Sequence, residues 1–147
     1  MYMRHRIELI VCWIFISIVA FIYNWDFFEM ANTAMTIASI AVGVYIAAVS
    51  ALLGSKYAEK LQQLPDPKIK GKTFLGVVAH YFRCAGSSCM ILIIISSIYC
   101  IPTKPIMPLA YRFVSALTYG LFAVNLLFMW LILIFLVNSL GKSVRIS

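Results

Sequence analysis

Four long stretches of the chain contain no Asp, Glu, Lys or Arg, and short charged or proline-containing segments separate them. The uncharged stretches cover residues 9–25, 30–55, 84–103 and 113–137. Each is at least as long as the roughly 17 residues that a helix needs to cross the hydrocarbon core of a bilayer, and none is long enough for two spans. The pattern therefore predicts four transmembrane helices, at about residues 8–25, 32–55, 73–101 and 109–138.

The overall composition agrees with a membrane protein. Of the 147 residues, 63% are hydrophobic and 12% are charged, and the mean hydropathy is +0.96. Soluble domains are about half apolar and about a quarter charged. A water-soluble core of this size could not bury so much apolar surface. We therefore predict one all-α membrane domain over residues 1–147, a bundle of four transmembrane helices.

Basic residues are concentrated on one side of the predicted bundle, which in membrane proteins is the cytoplasmic side. Ten of the twelve Lys and Arg residues lie before the first helix, around the second connection or after the fourth helix: Arg4, Arg6, Lys56, Lys60, Lys68, Lys70, Lys72, Arg83, Lys142 and Arg145. The first connection carries Asp26 and Glu29 instead, and the third has only Lys104 and Arg112. We therefore predict a multi-pass protein of the cell inner (plasma) membrane with both termini cytoplasmic.

The net charge of +7 raises the question of an anionic partner. Because the basic residues follow the predicted inner membrane face, attraction to anionic lipid accounts for them. No aromatic–basic platform of the kind that binds single-stranded nucleic acid accompanies the charge. Membrane lipid is therefore a predicted partner, and nucleic acid is not.

The second helix is predicted to continue beyond the membrane. Residues 56–64 contain strong helix formers, and Pro65 and Pro67 then end the helix. Together with the start of the third helix they predict a short cytosolic hairpin at residues 56–72. A cytosolic protein partner or lipid would contact its basic side chains and two more on the third helix: Lys56, Lys60, Lys68, Lys70, Lys72, His80 and Arg83. Of these residues, His80 and Arg83 are expected to anchor lipid phosphate or to line the inner mouth of an oligomeric pore.

A ridge of small residues recurs at every fourth position of the second helix: Ser39, Gly43, Ala47, Ala51 and Ser55. In lipid, small residues let helices approach closely. The ridge packs either within its own bundle, against the small patch at residues 85–89, or against a second copy of the protein. We favour the first alternative, because a small bundle needs such a contact. Ala116 and Gly120 form a weaker version of the same pattern on the fourth helix.

Few residues offer chemistry inside the predicted membrane. Asn125, the deepest amide, is expected to form an interhelical hydrogen bond or to line a pore. Glu8 lies too close to the inner edge of the first helix for a proton-coupled transporter. The four cysteines lack the paired spacing of a metal site; they are Cys12, Cys84, Cys89 and Cys100. Since there is also no catalytic triad and no phosphate loop, we predict no enzyme activity, metal or cofactor.

The second helix and its extension, IAAVSALLGSKYAEKL, resemble RexB-type superinfection-exclusion proteins, which are phage-encoded inner-membrane proteins of similar length. The shared features are a small-residue helix ending in a Gly-Ser step, a short basic helical extension, and a third helix that opens with polar and aromatic residues. The resemblance covers residues 38–95 and transfers no catalytic residue. It implies membrane permeabilisation or depolarisation during phage infection, triggered by a cytosolic partner. The membrane subunit of anti-phage systems such as Kiwa is similar, with more emphasis on partner docking.

Three functions therefore fit the sequence. The first is an anti-phage defence or superinfection-exclusion protein that forms a homo-oligomer and either perturbs membrane permeability or recruits a cytosolic effector. The second is a structural scaffold or assembly subunit for a cytosolic partner. The third is a small multidrug-type transporter, which would need Glu8 or Asn125 to be essential, and neither position suits that role.

Overall fold

The structure consists of four α-helices. The computed structural model describes residues 3–53, 73–101 and 108–143, in which α1 covers Met3–Ile22, α2 Phe28–Leu53, α3 Phe74–Tyr99 and α4 Pro108–Ser143. Each helix is long and apolar enough to cross a membrane. The prediction of four such helices is confirmed, and they fit a multi-pass membrane protein. The predicted hairpin at residues 56–72 lies outside the described residues.

Large apolar side chains cover the outside of the bundle. On α1, Phe15 and Ile22 are 64% and 65% exposed, and on α4 Trp130 is 61% exposed. Soluble monomers rarely show continuous apolar surface on this scale, because it drives association in water. The surface is typical of helices that face lipid.

The turn between α1 and α2 has a defined geometry. Asn24 adopts a positive φ of 53°, a conformation that asparagine tolerates at the end of a helix. The N–H of Trp25 then donates to the carbonyl of Ala20 at 3.1 Å, which closes α1 as a Schellman motif. The Oδ1 atom of Asp26 accepts the N–H of Phe28 at 3.0 Å and so caps the start of α2.

The helices do not pack in the order of the chain. The two main contacts join α1 to α4 and α2 to α3, and α3 also packs on α4. Contacts at the two ends show that the helices alternate in direction. At one end, His5 of α1 meets Tyr81 of α3, and at the other Asp26 meets Tyr111 near the start of α4. We call these the His5 end and the Asp26 end.

The contact between α2 and α3 is built from small residues. One side of α2 is at most 1% exposed at Ala31, Ala34, Ala38 and Ala41. Facing rings bound this stripe, with Phe27 against Tyr99 at one end and Tyr45 against Phe82 at the other. Short side chains let the two backbones approach, which is how helices associate when lipid surrounds them. The alanine stripe therefore holds α2 in the bundle.

The contact between α1 and α4 is tightest at Gly120. A Cβ atom added to Gly120 would lie 2.7 Å from both the carbonyl oxygen and the Cδ1 atom of Trp13, and it would also clash with the hydroxyl of Ser17. Beside this point, the indole N–H of Trp13 donates to the carbonyl of Leu117 at 3.2 Å. The approach of α1 to α4 therefore depends on the missing side chain at Gly120.

The ridge predicted on α2 belongs to neither contact. Its described members are exposed, while Ser55 lies outside the described residues; the exposed members are Ser39, Gly43, Ala47 and Ala51. They lie on the side of α2 opposite the alanine stripe, and no atom of the described residues comes within 4 Å of a Cβ atom placed on Gly43. This corrects the expectation that the ridge holds α2 in its own bundle. Both sides of α2 carry small residues, but only the stripe ends in rings, Phe27 and Tyr45, that contact α3.

Replacement of Gly120 by alanine should destabilise the protein by about 1–3 kcal/mol, because the added methyl group overpacks the contact between α1 and α4. Gly86→Ala, on α3, is the matched control, because no described atom lies within 4 Å of a Cβ atom placed there. Its methyl group meets open space, so the free energy of unfolding should stay the same or rise by up to about 1 kcal/mol through helix propensity. Thermal unfolding in detergent measures both variants. A Gly120→Ala protein as stable as the parent would contradict this account of the α1–α4 contact.

Candidate functional site

Asn125 of α4 is buried between α4 and α3, and only 3% of its surface is exposed. Its Oδ1 atom accepts hydrogen bonds from the Ser88 hydroxyl at 2.8 Å and from the Cys89 thiol at 2.9 Å. Its amide nitrogen donates to the carbonyl of Leu121 at 2.9 Å, one turn back on α4. The amide is therefore occupied within the chain, as an interhelical hydrogen bond, and it does not face the outside of the bundle.

Asp26 is a second polar residue with structural partners, and it fixes the connection between α1 and α2. Only five residues join these helices, yet they make little or no contact with each other, because α1 packs on α4 instead. Where the connection meets α4, Tyr111 donates its hydroxyl proton to Oδ1 of Asp26 at 2.8 Å. Tyr119 donates to the backbone carbonyl of the same residue at 3.2 Å. Two tyrosines of α4 thus hold the connection in place.

Aromatic rings complete this end of the bundle. Phe27 has no exposed surface, and its ring lies edge-on between the rings of Tyr99 and Tyr119. The distances between ring centres are 5.3 Å to Tyr99 and 5.2 Å to Tyr119. The Tyr99 hydroxyl is 3.1 Å from that of Ser115 on α4. Phe27 and Tyr99 are therefore part of the core, whereas the neighbouring Trp25 is exposed.

Sequence reasoning missed the role of Asp26. An aspartate two residues before a helix is a recognisable capping signal. Its tyrosine partners are 85 and 93 positions away along the chain, so no local pattern reveals them. Because Oδ1 already accepts both the Phe28 N–H and the Tyr111 hydroxyl, this carboxylate serves as a cap and an anchor.

The structure brings together two of the residues predicted to contact a partner or lipid. His80 and Arg83 are both exposed near the His5 end, and Nε2 of His80 lies 3.7 Å from the thiol of Cys84. Glu8, at the same end, is exposed and paired with Arg4 at 2.9 Å; such an exposed pair contributes little to stability. The other predicted contact residues lie outside the described part of the chain: Lys56, Lys60, Lys68, Lys70 and Lys72.

The described residues include no group of three or more His, Cys, Asp or Glu side chains that could hold a metal ion. The four cysteines, all within the described helices or directly after α3, are free thiols. The expectation that the chain has no cofactor and no enzyme activity stays a prediction.

The side of α2 that faces away from the other helices has an unusual composition. Small and polar residues line it from end to end: Asn32, Thr36, Ser39, Gly43, Ala47, Ser50 and Ala51, all exposed. We call this set the exposed α2 face. Larger side chains, Ile40, Val44 and Ile46, flank it. The hydroxyls of Thr36 and Ser39 donate hydrogen bonds to backbone carbonyls one turn earlier in α2, at 2.9 and 2.8 Å. Their hydrogen-bonding needs are therefore met within α2.

Comparison with protein-family models, with curated proteins and with solved structures gives no match. The resemblance to RexB-type proteins therefore stays a prediction.

Replacing Asn125 by leucine should lower the free energy of unfolding by about 0.6–2 kcal/mol, the range measured for interhelical hydrogen bonds in membrane proteins. The physical reason is that the Ser88 hydroxyl and the Cys89 thiol lose their acceptor. Ser87→Leu, at an exposed position on α3, is the control and should change stability by less than about 0.5 kcal/mol. Chemical unfolding in detergent compares the two. If Asn125→Leu altered ion conductance while leaving stability unchanged, a pore-lining role would replace the structural one.

Proposed function

We propose that this chain is a multi-pass protein of the cell inner membrane that self-associates through the exposed α2 face. The assembly perturbs membrane permeability as part of an anti-phage defence or superinfection-exclusion system. One observation carries the self-association: the exposed α2 face is lined by small and polar residues, although no other described helix packs on it.

The shape of the exposed α2 face suits a second helix. From Ser39 to Ala51 the small residues extend over 13 positions, whose Cα atoms span about 18 Å along the helix, more than half of a hydrocarbon core of about 30 Å. At Gly43 the space around the backbone is open, so another helix can approach without displacing a side chain. Close approach of this kind drives helix association in lipid.

The chemistry of the exposed α2 face supports a role in permeability. Ser and Thr side chains in membrane helices can form hydrogen bonds to a neighbouring helix. Thr36, Ser39 and Ser50 face outward in the single chain. Copies arranged around these faces would turn the hydroxyls towards one another, either as a packed contact or as the lining of a path for ions.

The proposed role in phage infection and the proposed orientation of the chain in the membrane both come from the sequence. The resemblance to RexB-type proteins motivates a role in phage infection, and the distribution of basic residues motivates cytoplasmic termini. A cytosolic trigger or effector would dock at the predicted hairpin, residues 56–72. If docking were the whole function, the chain would be a scaffold for that partner. The two functions differ in one measurable property, the membrane potential during infection.

The double variant Gly43→Leu, Ala47→Leu should shift the protein from oligomer to monomer, because leucine side chains block close approach at the exposed α2 face. Ser87→Leu places a leucine at an exposed position of α3, outside the exposed α2 face, and is the control. Energy transfer between labelled copies in lipid vesicles measures association. A potential-sensitive dye and phage plating measure the effect in cells. We expect the double variant, and not the control, to lose association, depolarisation and phage resistance together.

The proposal is wrong if the double variant keeps both its oligomeric state and its phage resistance. The scaffold alternative gives a different result. Under that alternative, charge reversal at Lys68, Lys70 and Lys72 abolishes capture of the cytosolic partner, and the membrane potential never changes in cells that carry the unmodified protein.

A further inference from the structure

A groove runs between α1 and α4 towards the Asp26 end of the bundle. Its volume is about 310 Å³, and its walls are apolar. The side chains that shape it include Trp13, Ile14, Ile18, Phe21, Phe113 and Leu117. Most of them are exposed in the single chain, so the groove opens to the surroundings of the bundle rather than into its core.

The groove has the length of one leaflet of a bilayer. Its lining on α1 extends from Trp13 to Ile22, which is about 13 Å along the helix and close to half of a hydrocarbon core of about 30 Å. At its deep end the helices close together, where Trp13 donates to the carbonyl of Leu117 and Gly120 admits the backbone of α1. The groove therefore begins near the middle of the span and ends at one membrane surface.

A cation lies at the surface end of the groove. The guanidinium carbon of Arg112 is 5.4 Å from the centre of the Phe21 ring, and Phe21 in turn meets Phe113 edge-on. Both rings line the groove. Arg112 is exposed, and it has no salt bridge to any carboxylate among the described residues. Its planar set of N–H donors matches the oxygens of a phosphate group.

A second groove provides a comparison. It lies between α2 and α4, has a similar volume of about 320 Å³, and is also apolar. Its lining includes Tyr45 and Trp130 but no arginine or lysine. The two grooves therefore offer similar space to an acyl chain, and among the described residues only the first combines that space with a cation at its surface end.

We propose that the α1–α4 groove binds one phospholipid from the leaflet at the Asp26 end. One acyl chain lies between α1 and α4, and the phosphate accepts hydrogen bonds from Arg112. The apolar walls, the one-leaflet length and the cation at the surface end each match a part of that molecule. A second copy of the chain is the other occupant that the apolar walls could take, and the test below distinguishes it from lipid. The inference does not depend on self-association through the exposed α2 face.

Tryptophan fluorescence can test this site directly, because the chain has three tryptophans and one of them, Trp13, lines the groove. The variant Trp25→Phe, Trp130→Phe keeps Trp13 as its only tryptophan. The sister variant Trp13→Phe, Trp25→Phe keeps Trp130, in the α2–α4 groove. Each full-length protein is purified in a maltoside detergent and titrated with brominated phosphatidylglycerol or with brominated diacylglycerol, which has no phosphate. Bromine quenches a tryptophan that it contacts.

We expect half-quenching of Trp13 at about tenfold less phosphatidylglycerol than diacylglycerol, because hydrogen bonds to charged groups strengthen binding by at least that factor. Trp130 should show no such preference. Arg112→Gln should remove this difference, so that the two lipids half-quench Trp13 at about the same concentration. Arg6→Gln, at an exposed arginine of α1 near the His5 end, should leave it unchanged.

Three results would overturn the proposal. Equal quenching of Trp13 by the two lipids would mean that only unselective surface lipid contacts the groove. A preference that survives Arg112→Gln would mean that another group recognises the headgroup. Protection of Trp13 from both lipids in an oligomer would mean that a second copy covers the groove.

Discussion

Close approach of helix backbones is the interaction on which this structure depends. Where lipid surrounds the helices, burying apolar side chains between them gains little, so packing of small residues and a few hydrogen bonds must hold them together. The alanine stripe of α2 and the bare backbone at Gly120 provide the close approach. Asn125 adds the hydrogen bonds between α3 and α4. The remaining surfaces of the helices are then free for lipid or for other copies.

The number of helices could be predicted from the sequence, because the thickness of a bilayer sets the length of an uncharged stretch. The side of α2 that packs could not. Small residues recur at helical spacing on both sides of α2, and the choice depends on Phe27 and Tyr45 meeting rings of α3. Likewise, Gly43 belongs to a longer pattern of small residues than Gly120 does. Of these two glycines, only Gly120 lies at a close contact between helices. Which side of a helix packs depends on the helix it meets, and the local sequence pattern does not reveal that partner.

The packing order explains where the candidate surfaces lie. Because α1 packs on α4 and α2 packs on α3, the connection between α1 and α2 must be secured on α4, which is the role of Asp26 with Tyr111 and Tyr119. The same order leaves one side of α2 without contact to the other described helices, and it leaves a groove between α1 and α4. The proposed self-association at the exposed α2 face and the proposed lipid binding at the α1–α4 groove would therefore use different helices, so one would not block the other.

Immersion of the four helices in lipid, with the basic connection in the cytoplasm, is the central claim, and thiol labelling tests it most directly. The four native cysteines are replaced by alanine, and a single cysteine is introduced at Glu29 or at Lys70. Spheroplasts are then treated with a membrane-impermeant maleimide. The account predicts labelling of Glu29→Cys in intact spheroplasts, and labelling of Lys70→Cys only after the membrane is opened. Labelling of Lys70→Cys in intact spheroplasts, or recovery of the chain in the soluble fraction without detergent, would contradict it.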